Sequence, residues 1–383
     1  MRTENSSSDV VIVGGGIIGL SLAYQLALQK ASVTVLERGQ IGQEASTAGA
    51  GILAPQAEME EMSPLTELCL ASKSLYNSFV KELVSSTGVD IEFSQTGLLY
   101  VGFSGEDQQE LARRYRWQKE RGLPVQQLSP GEALEVEKSL NPNIVGALFF
   151  PQEAYVDNIK LVEALRIACG QTHVQLITGC QGISVKADGP YVRGVESNSG
   201  FWKTGKTVIA AGSWSGMVAT PLTYRIPISP VRGQVIAVKS SLPFLQRTVY
   251  SHKGYLVPRR DGRIFLGTTV EWAGYDKSVT VDGVHQILSA TLEILPGIKP
   301  FPIQNFWAGF RPHCEDGNPV LGPSEIEGLI FATGHFRNGL LLAPITAKLL
   351  TDLILNGTTS RLLEGFSPSR FKKTPLEGEL ADS

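Results

Sequence analysis

The chain has few cysteines and few histidines, and neither residue type recurs at a spacing that holds a metal ion. Among its 383 residues, Cys69, Cys169, Cys180 and Cys314 form no Cys-x-x-Cys pair, and the five histidines form no His-Glu-x-x-His motif. Scattered cysteines favour free thiols in a reducing compartment over a disulfide framework or a zinc site. We therefore expect a cytoplasmic protein without structural disulfides or a metal site.

The sequence also lacks an excess of positive charge and long apolar runs. Its net charge of −3 gives no reason to expect nucleic acid or an anionic membrane as a partner. No apolar run approaches the ~18 residues of a transmembrane helix, and polar residues 1–8, without the core of a signal peptide, predict a frayed tail. The length predicts two domains or one large interleaved unit.

The strongest positive signal is a glycine-rich turn between a predicted strand and a predicted helix. Gly14, Gly16 and Gly19 follow the apolar residues 10–13, and Glu37 ends the next predicted strand. Gly14 allows the tight turn, Gly16 lets backbone approach a pyrophosphate, and Gly19 lets the helix pack closely on the strand. The helix N-terminus attracts phosphate, and Glu37 favours an unphosphorylated ribose. The pattern indicates FAD or NAD rather than NADP; a plain strand–helix turn is the alternative.

Later segments predict a sheet that the chain leaves and re-enters. Small residues dominate 40–51, which suits a segment beside a large flat ligand or, alternatively, a flexible surface loop. Apolar strands are predicted at 207–212 and 329–334, while 230–310 is rich in strands. In the last predicted helix, at 340–356, Lys348 and Asp352 favour packing in a core over membrane anchoring. The polar tail from Ser367 predicts a loose end.

Several segments together resemble the FAD-dependent amine and D-amino-acid oxidase superfamily. They are the DVVIVGGGIIG start, the GSWSG segment at 212–216, the FWAGFRP segment at 306–312, the DGNPVLG segment at 316–322 and the GHFRNGLLLAP segment at 334–344. Many flavoproteins share the first segment, whereas the combination of the last three is much more specific. The resemblance covers residues 9–366 and, within the superfamily, is strongest to the glycine oxidases of the thiamine pathway.

The resemblance implies noncovalently bound FAD and oxidative deamination of glycine, sarcosine and small D-amino acids. Dioxygen is the implied acceptor and becomes hydrogen peroxide, while the imine product hydrolyses or feeds thiazole formation in thiamine biosynthesis. The alternatives are a sarcosine oxidase, a D-amino-acid dehydrogenase with another electron acceptor, and a flavin-binding protein without turnover. The expected partners are the small amino acid and dioxygen, and the family implies a homo-oligomer, a tetramer.

The predicted fold class is α/β, as in D-amino-acid oxidases. A discontinuous Rossmann-like FAD-binding domain is expected from residues 1–90, 150–222 and 311–383. Residues 91–149 and 223–310 are expected to form a substrate domain built on an antiparallel or mixed β-sheet.

Arg311, Tyr255 and Arg337 are the residues that we expect to carry the chemistry. Arg311 ends an apolar strand, where its guanidinium either pairs with an internal acid or binds a ligand carboxylate. The resemblance implies the second role, and it implies that Tyr255, otherwise a packing residue, donates to the same carboxylate. For Arg337, gating of the substrate entrance and capping of a solvated loop both stay open. No catalytic histidine is required, because the protein supplies orientation and electrostatics to the cofactor chemistry.

The expected FAD contacts cluster in the glycine turn, the segment after Glu37, the central strands and the start of the last helix. They are Gly14, Gly16, Ile17, Ile18, Gly19, Glu37, Arg38, Ala45, Ser46, Gly49, Ala50, Gly51, Ile52, Val185, Gly212, Gly334, His335, Phe336, Arg337, Asn338, Gly339 and Leu340. Backbone N–H groups at 338–341 are expected to face the flavin edge where negative charge accumulates on reduction. Lys253, Ile52 and Val270 stand where the best-studied glycine oxidase has a histidine and two methionines.

Overall fold

The computed structural model describes residues 3–241 and 243–372. Its strands are β1 (Thr3–Ser7), β2 (Val10–Val13), β3 (Val33–Leu36), β4 (Ile52–Leu53), β5 (Leu98–Gly102), β6 (Gln126–Leu128), β7 (Gly146–Phe150), β8 (Ala154–Tyr155), β9 (Gln175–Ile177), β10 (Ser184–Asp188), β11 (Tyr191–Ser197), β12 (Gly200–Lys203), β13 (Thr207–Ile209), β14 (Ile228–Lys239), β15 (Thr248–Ser251), β16 (Gly254–Pro258), β17 (Arg263–Gly267), β18 (Ile303–Cys314), β19 (Val320–Pro323) and β20 (Leu329–Thr333). Its α-helices are α1 (Ile17–Leu28), α2 (Ala45–Ala48), α3 (Pro55–Glu58), α4 (Pro64–Thr87), α5 (Gly105–Glu120), α6 (Pro130–Val136), α7 (Asn158–Gln171), α8 (Val281–Ile294) and α9 (Gly339–Asn356).

The glycine turn follows a strand of a six-stranded sheet that draws on three separate parts of the chain. The strand order is β19-β20-β13-β2-β3-β9, and the neighbours are parallel except for the antiparallel β19–β20 pair. Every residue of β2, β3 and β20 is buried, as expected when both faces of a parallel sheet are covered. One hydrophobic cluster joins β2 and β3 to α1, α4, α7 and α9. This arrangement is Rossmann-like, as the sequence predicts.

The second large sheet is mixed and has eight strands. Its order is β18-β14-β17-β16-β15-β5-β7-β6. The long antiparallel pair β14–β18 places Val231 opposite Arg311 and Gly233 opposite Gly309. The apolar cluster under this sheet includes buried positions of α8.

Sheet membership bears on the expected division of the chain, although the domain bounds stay a prediction. Strands of 91–149 and 223–310 build the eight-stranded sheet, but β18 continues to Cys314 and therefore crosses the expected bound at 310. A separate four-stranded sheet has the order β1-β12-β11-β10. Residues 373–383 of the expected FAD-binding domain lie outside the described residues.

Both ends of the described chain are more ordered than their polarity predicts. Residues 3–7, expected to fray, form β1 and pair in parallel with β12. Past Ser367, a 3-10 helix at Pro368–Phe371 buries Phe371 in the cluster beside β13 and β20, and Arg370 donates to Asp316 Oδ2 at 2.7 Å. Average polarity misses these contacts because one buried ring and one ion pair fix the segment.

The last helix corrects the expectation that no apolar run reaches membrane-spanning length. Within the described residues, α9 is long and apolar enough to cross a membrane by length and composition alone, and most of it is buried inside the protein. It packs against α1 and α4, with Lys348 and Asp352 on the outside as an i,i+4 ion pair. Its apolar length therefore serves the core of the Rossmann-like unit.

Candidate functional site

A cavity of about 610 Å³ is lined by residues of both large sheets. Of the residues expected from the sequence, the following lie in its wall: Gly14, Gly16, Ile17, Ile18, Glu37, Arg38, Ala45, Ser46, Gly49, Ala50, Gly51, Ile52, Gly212, Tyr255, Arg311, His335, Phe336, Arg337, Gly339 and Leu340. The fold thus brings residues from positions 14 to 340 together around one cavity.

Four expected residues lie outside the cavity wall. A Cβ at Gly19 would lie 1.9 Å from the Gly14 carbonyl oxygen, so this glycine serves helix–strand packing behind the turn. Val185 is buried in β10, and Ile183 faces the cavity in its place. Gly334 forms a left-handed turn with φ of 74°. Asn338 is the buried N-cap position of α9.

The glycine turn is shaped for a phosphate-bearing ligand. Gly14 has φ of 113°, and a Cβ there would lie 2.3 Å from the Ala210 carbonyl oxygen, which excludes any side chain. The N-terminus of α1 has no side-chain cap from Gly16 and no acidic residue in its first turn. The helix itself supplies no anion to its own N-terminus, and the partial positive charge there favours a bound phosphate.

Glu37 is held at the cavity by backbone N–H groups. Its Oε2 accepts from Gly15 N at 2.8 Å, and its Oε1 accepts from Gly39 N at 2.7 Å. Each carboxylate oxygen has further lone pairs, so the fixed carboxylate can also accept hydroxyl protons.

A second helix N-terminus meets the cavity at α9. Its N-cap residue Asn338 makes no side-chain cap bond, its first turn contains no acid, and Gly339 and Leu340 lie in the wall. Burial lowers the pKa of the adjacent His335 to about 3, and its Nε2 lies 3.1 Å from Thr346 Oγ1. His335 is therefore neutral at neutral pH, and the helix end supplies the positive potential.

Arg311 lies in the cavity wall without an acidic partner among the described residues. Its Nη2 donates to Thr268 Oγ1 at 2.7 Å, and its Nη1 donates to the carbonyl oxygen of Thr269 at 3.1 Å. Burial lowers the pKa of the guanidinium below its usual value. The internal ion pair left open by the sequence is thus not what the structure describes. A cation oriented only by neutral oxygens is suited to bind an anion.

Glycines make the space for these side chains. A Cβ at Gly233 would lie 2.2 Å from Arg311 Nη2, and a Cβ at Gly267 would lie 2.3 Å from Cζ of Tyr255. The two glycines therefore let the guanidinium and the phenol lie flat against the sheet. Burial raises the pKa of Tyr255, and the positive charge of Arg311 opposes that rise. Tyr255 is a neutral hydroxyl donor beside the guanidinium.

Arg337 is exposed at the wall, with its guanidinium 5.3 Å from the centroid of the Phe336 ring. Phe336 contacts the His313 ring, which contacts Trp272 in turn. Of these three rings, Phe336 lies in the cavity wall. Gating by Arg337 stays a prediction.

The three positions at which this sequence differs from the best-studied glycine oxidase lie in different parts of the structure. Ile52 lies in the cavity wall, whereas Val270 is exposed and outside it. Lys253 pairs with Glu293 at 2.6 Å, with both side chains partly exposed. Of these positions, only Ile52 directly shapes the cavity.

Sequence reasoning missed several wall residues. They include Glu58, Tyr250, Thr268 and Gly233 near Arg311, and Cys180, Gln181, Gly182, Ile183, Trp214, Met217, Val218 and Ala219 elsewhere in the wall. An isolated glycine within a strand signals close backbone or ligand approach, so Gly233 carried a usable signal. Glu58 and Tyr250 follow no motif.

Comparison with known proteins identifies the family of this chain. The model of a family described as FAD dependent oxidoreductase matches residues 9–353. The chain belongs to this family. FAD is therefore the cofactor of this protein, as the resemblance implies.

Two relatives and one solved structure place the chain within the family. It is 34% identical to a glycine oxidase of Geobacillus kaustophilus over 94% of this chain and 97% of that protein. It is 36% identical to the bifunctional protein ThiO/ThiG of Synechocystis sp., but spans only 55% of that protein's length. The crystal structure of glycine oxidase from Geobacillus kaustophilus superposes with a TM-score of 0.92 at 33% identity, covering 96% of this chain and 99% of the other.

Proposed function

We propose that this protein oxidises glycine, and with it sarcosine and small D-amino acids, to the imine and then the 2-oxo acid, with dioxygen reduced to hydrogen peroxide. The observation that carries the proposal is Arg311, a cavity-facing guanidinium with no acidic partner among the described residues. The similarity to glycine oxidases over nearly the whole chain supports the same reaction.

The cofactor site is argued from features that FAD would complete. Glu37 would accept the ribose hydroxyl protons, the N-terminus of α1 would bind the pyrophosphate, and the N-terminus of α9 would lie by the electron-accepting ring. A glycine is needed at position 14, in the turn before α1, because an added Cβ would collide with the Ala210 carbonyl oxygen. When bound, FAD supplies the two-electron oxidant, and dioxygen takes up those electrons.

The protein's own part is to bind and orient the amino acid. Arg311 would hold the substrate carboxylate with its planar fork, and the Tyr255 hydroxyl would donate to the same group. Thr268 and Thr269 fix the guanidinium in the plane that Gly233 leaves open. Fixing the carboxylate positions the amine carbon, and such positioning is a large part of what an enzyme contributes to a reaction of this kind.

The first experiment is an anaerobic absorption spectrum before and after adding glycine. Bleaching of the flavin band, reversed by air with release of peroxide, supports the proposal. A yellow protein that sarcosine or a larger D-amino acid bleaches instead would move the assignment to that amine. Slow return in air with fast return on a quinone would indicate a dehydrogenase, and a yellow protein that no amine reduces would be a flavin-binding protein without turnover.

Two variants test the carboxylate site. Arg311→Ala should retain FAD and lose glycine turnover, chiefly in kcat/KM, because the ligand carboxylate loses its counter-ion. Tyr255→Phe should raise the KM for glycine about tenfold to a hundredfold, the range for one hydrogen bond to a charged group. Steady-state peroxide release measures both. Near-normal kinetics in Arg311→Ala would remove that assignment, and an unchanged KM in Tyr255→Phe would return that ring to a packing role.

The physiological setting is part of the same proposal. The bifunctional relative supports a role in which the imine product feeds thiazole formation in thiamine biosynthesis. The four cysteines are all free and buried, which supports a reducing, cytoplasmic location. Side chains exposed on the edge strand β18, Ile303 and Phe306, give a homo-oligomer such as a tetramer an apolar surface to bury.

A further inference from the structure

Glu58 is an acidic residue of the cavity wall that the proposed function has not used. It ends α3 and is half-buried, and its Oε1 accepts a hydrogen bond from the Tyr250 hydroxyl at 2.9 Å. Glu58, Tyr250, Tyr255, Arg311 and Arg337 all lie in the wall, and we call these five residues the charged cluster. Glu37 and Glu44 are the other acids of the wall, and they lie with the glycine turn and α2.

Within the described residues, Glu58 makes no ion pair. Lys73 Nζ donates to Oε1 of Gln56, which lies two positions before Glu58 in the chain. The same ammonium group donates to Glu153 Oε1 at 2.7 Å and is therefore already paired. Arg114 donates to Glu110 Oε1 at 2.7 Å. Glu58 therefore faces the cavity as a carboxylate whose one described side-chain partner is a hydroxyl group.

The backbone at residue 58 is held rigidly. Arg114 Nη1 donates to the carbonyl oxygens of Ala57 at 2.9 Å and of Met59 at 3.2 Å, so one buried guanidinium bonds both neighbours of Glu58. Gln56 is bound to Gln118 of α5 through both its side chain and its carbonyl oxygen. The carboxylate is thus preorganised, which is what a binding group requires.

The charged cluster contains two cations, Arg311 and the exposed Arg337, and one anion, Glu58, and none of the three forms an ion pair among the described residues. Arg311 is held by hydroxyl and carbonyl oxygens, and Glu58 is held by a hydroxyl. The two are close enough that the negative charge of Glu58 acts on the guanidinium. A small ligand with a carboxylate at one end and a cation at the other would pair both at once.

We propose that Glu58 binds the ammonium group of the amino-acid substrate, with Tyr250 fixing the carboxylate that does so, while Arg311 binds the substrate carboxylate. The proposal rests on the proposed function in that it assigns the second contact of the same substrate. It makes Glu58 the residue that distinguishes amino acids from carboxylic acids without an amine.

The test compares two ligands on the FAD-loaded enzyme, glycine and acetate. Glu58→Gln keeps the size and hydrogen-bonding capacity of the side chain and removes its charge. Glycine should bind about tenfold to a hundredfold more weakly, the range for a hydrogen bond between charged groups. Acetate should bind equally or more tightly, because the variant no longer repels its negative charge. Glycine affinity comes from anaerobic titration or rapid reduction, and acetate affinity from perturbation of the flavin spectrum.

The neighbouring Glu60→Gln is the matched control. Glu60 is strongly exposed and lies 3.9 Å from Arg114, so it should change neither affinity. Parallel weakening of both ligands in Glu58→Gln would mark Glu58 as a structural residue and overturn the proposal, as would no change in either. If Glu58→Gln fails to fold, the wild type still decides, since acetate binding as tightly as glycine would overturn the ammonium contact.

Failure of the proposed function has a different signature. An enzyme that glycine does not reduce, but that binds glycine tenfold or more tightly than acetate and loses this preference in Glu58→Gln, would keep the ammonium site and remove the oxidase assignment. An enzyme that glycine reduces normally in Glu58→Gln would keep the oxidase and remove the ammonium site.

Discussion

Replacing Gly233 by alanine tests how the sheet positions Arg311. A Cβ at residue 233 would lie 2.2 Å from Nη2, 2.4 Å from Nη1 and 2.5 Å from Cζ of Arg311. Carbon and nitrogen atoms in contact stand about 3.5 Å apart, so the guanidinium must move by roughly 1.3 Å. The clash is with the far end of a flexible side chain and not with backbone, so we expect the fold to survive while the guanidinium shifts.

The shift has a calculable effect on the site. Arg311 now donates from Nη2 to Thr268 Oγ1 at 2.7 Å and from Nη1 to the Thr269 carbonyl oxygen at 3.1 Å. A movement of this size away from the two oxygens would take both distances beyond hydrogen-bonding range. A hydrogen bond to a charged group contributes about 1.5–3 kcal/mol. The loss of one well-oriented bond to the substrate carboxylate therefore predicts a rise in the KM for glycine of about tenfold to a hundredfold.

The assay is steady-state peroxide release against glycine concentration, with the FAD content and the midpoint of thermal unfolding measured on the same sample. Gly131→Ala is the control, because Gly131 lies in α6 with no heavy atom within 4 Å of an added Cβ. We expect Gly131→Ala to match the wild type in KM and to be slightly more stable. A Gly233→Ala enzyme with unchanged KM and full FAD would refute the reasoning that the glycine positions Arg311.

Two further predictions concern the cofactor and pH. Acid precipitation should release all FAD into the supernatant, because the resemblance implies noncovalent binding. Cys314, the cysteine three residues after Arg311, is buried and outside the cavity wall, so it does not reach the cavity; a yellow pellet would contradict noncovalent binding. Burial raises the pKa of Glu153 from 4.5 to about 7, so the folded protein keeps a proton that the unfolded chain loses. The free energy of unfolding should therefore fall as the pH rises from 4.5 to 7. This fall should be larger in the wild type than in Glu153→Gln by on the order of a few kcal/mol. Urea unfolding at pH 5 and pH 8 measures this, and equal pH dependence in the two proteins would exclude it.

The cofactor half of the site could be predicted because its chemistry is local in sequence. The turn from Gly14 to Gly19 joins β2 to α1, and Glu37 follows directly after β3, so one strand–helix–strand unit holds all the evidence. Arg311 was predicted from the FWAGFRP segment, but the expectation that it ends a strand is wrong, because β18 continues to Cys314. Whether Arg311 pairs with an internal acid could not be predicted, because that depends on which residues the fold brings near the guanidinium.

The missed half of the site depends on contacts between distant segments. Glu58 and Tyr250 are separated by 192 positions, and they meet only because α3 and β15 lie against the same cavity. Neither position belongs to a periodic pattern or a spacing with chemical meaning. The expectation for Val185 shows the same limit, since a shift of two residues along one segment moves Ile183 onto the wall and Val185 into the core.

The charged cluster gives a physical reason for selectivity toward amino acids. A partly buried charge without a counter-ion is costly, and here the fold holds Glu58 and Arg311 with neutral donors and acceptors alone among the described residues. A zwitterion would pair both charges in one binding event. A simple carboxylate pairs only with Arg311 and brings a second negative charge toward Glu58, and a simple amine leaves Arg311 unpaired. A ligand with both charges is therefore the one that pairs both groups, so the proposed ammonium contact predicts a preference for amino acids over simple carboxylates and simple amines.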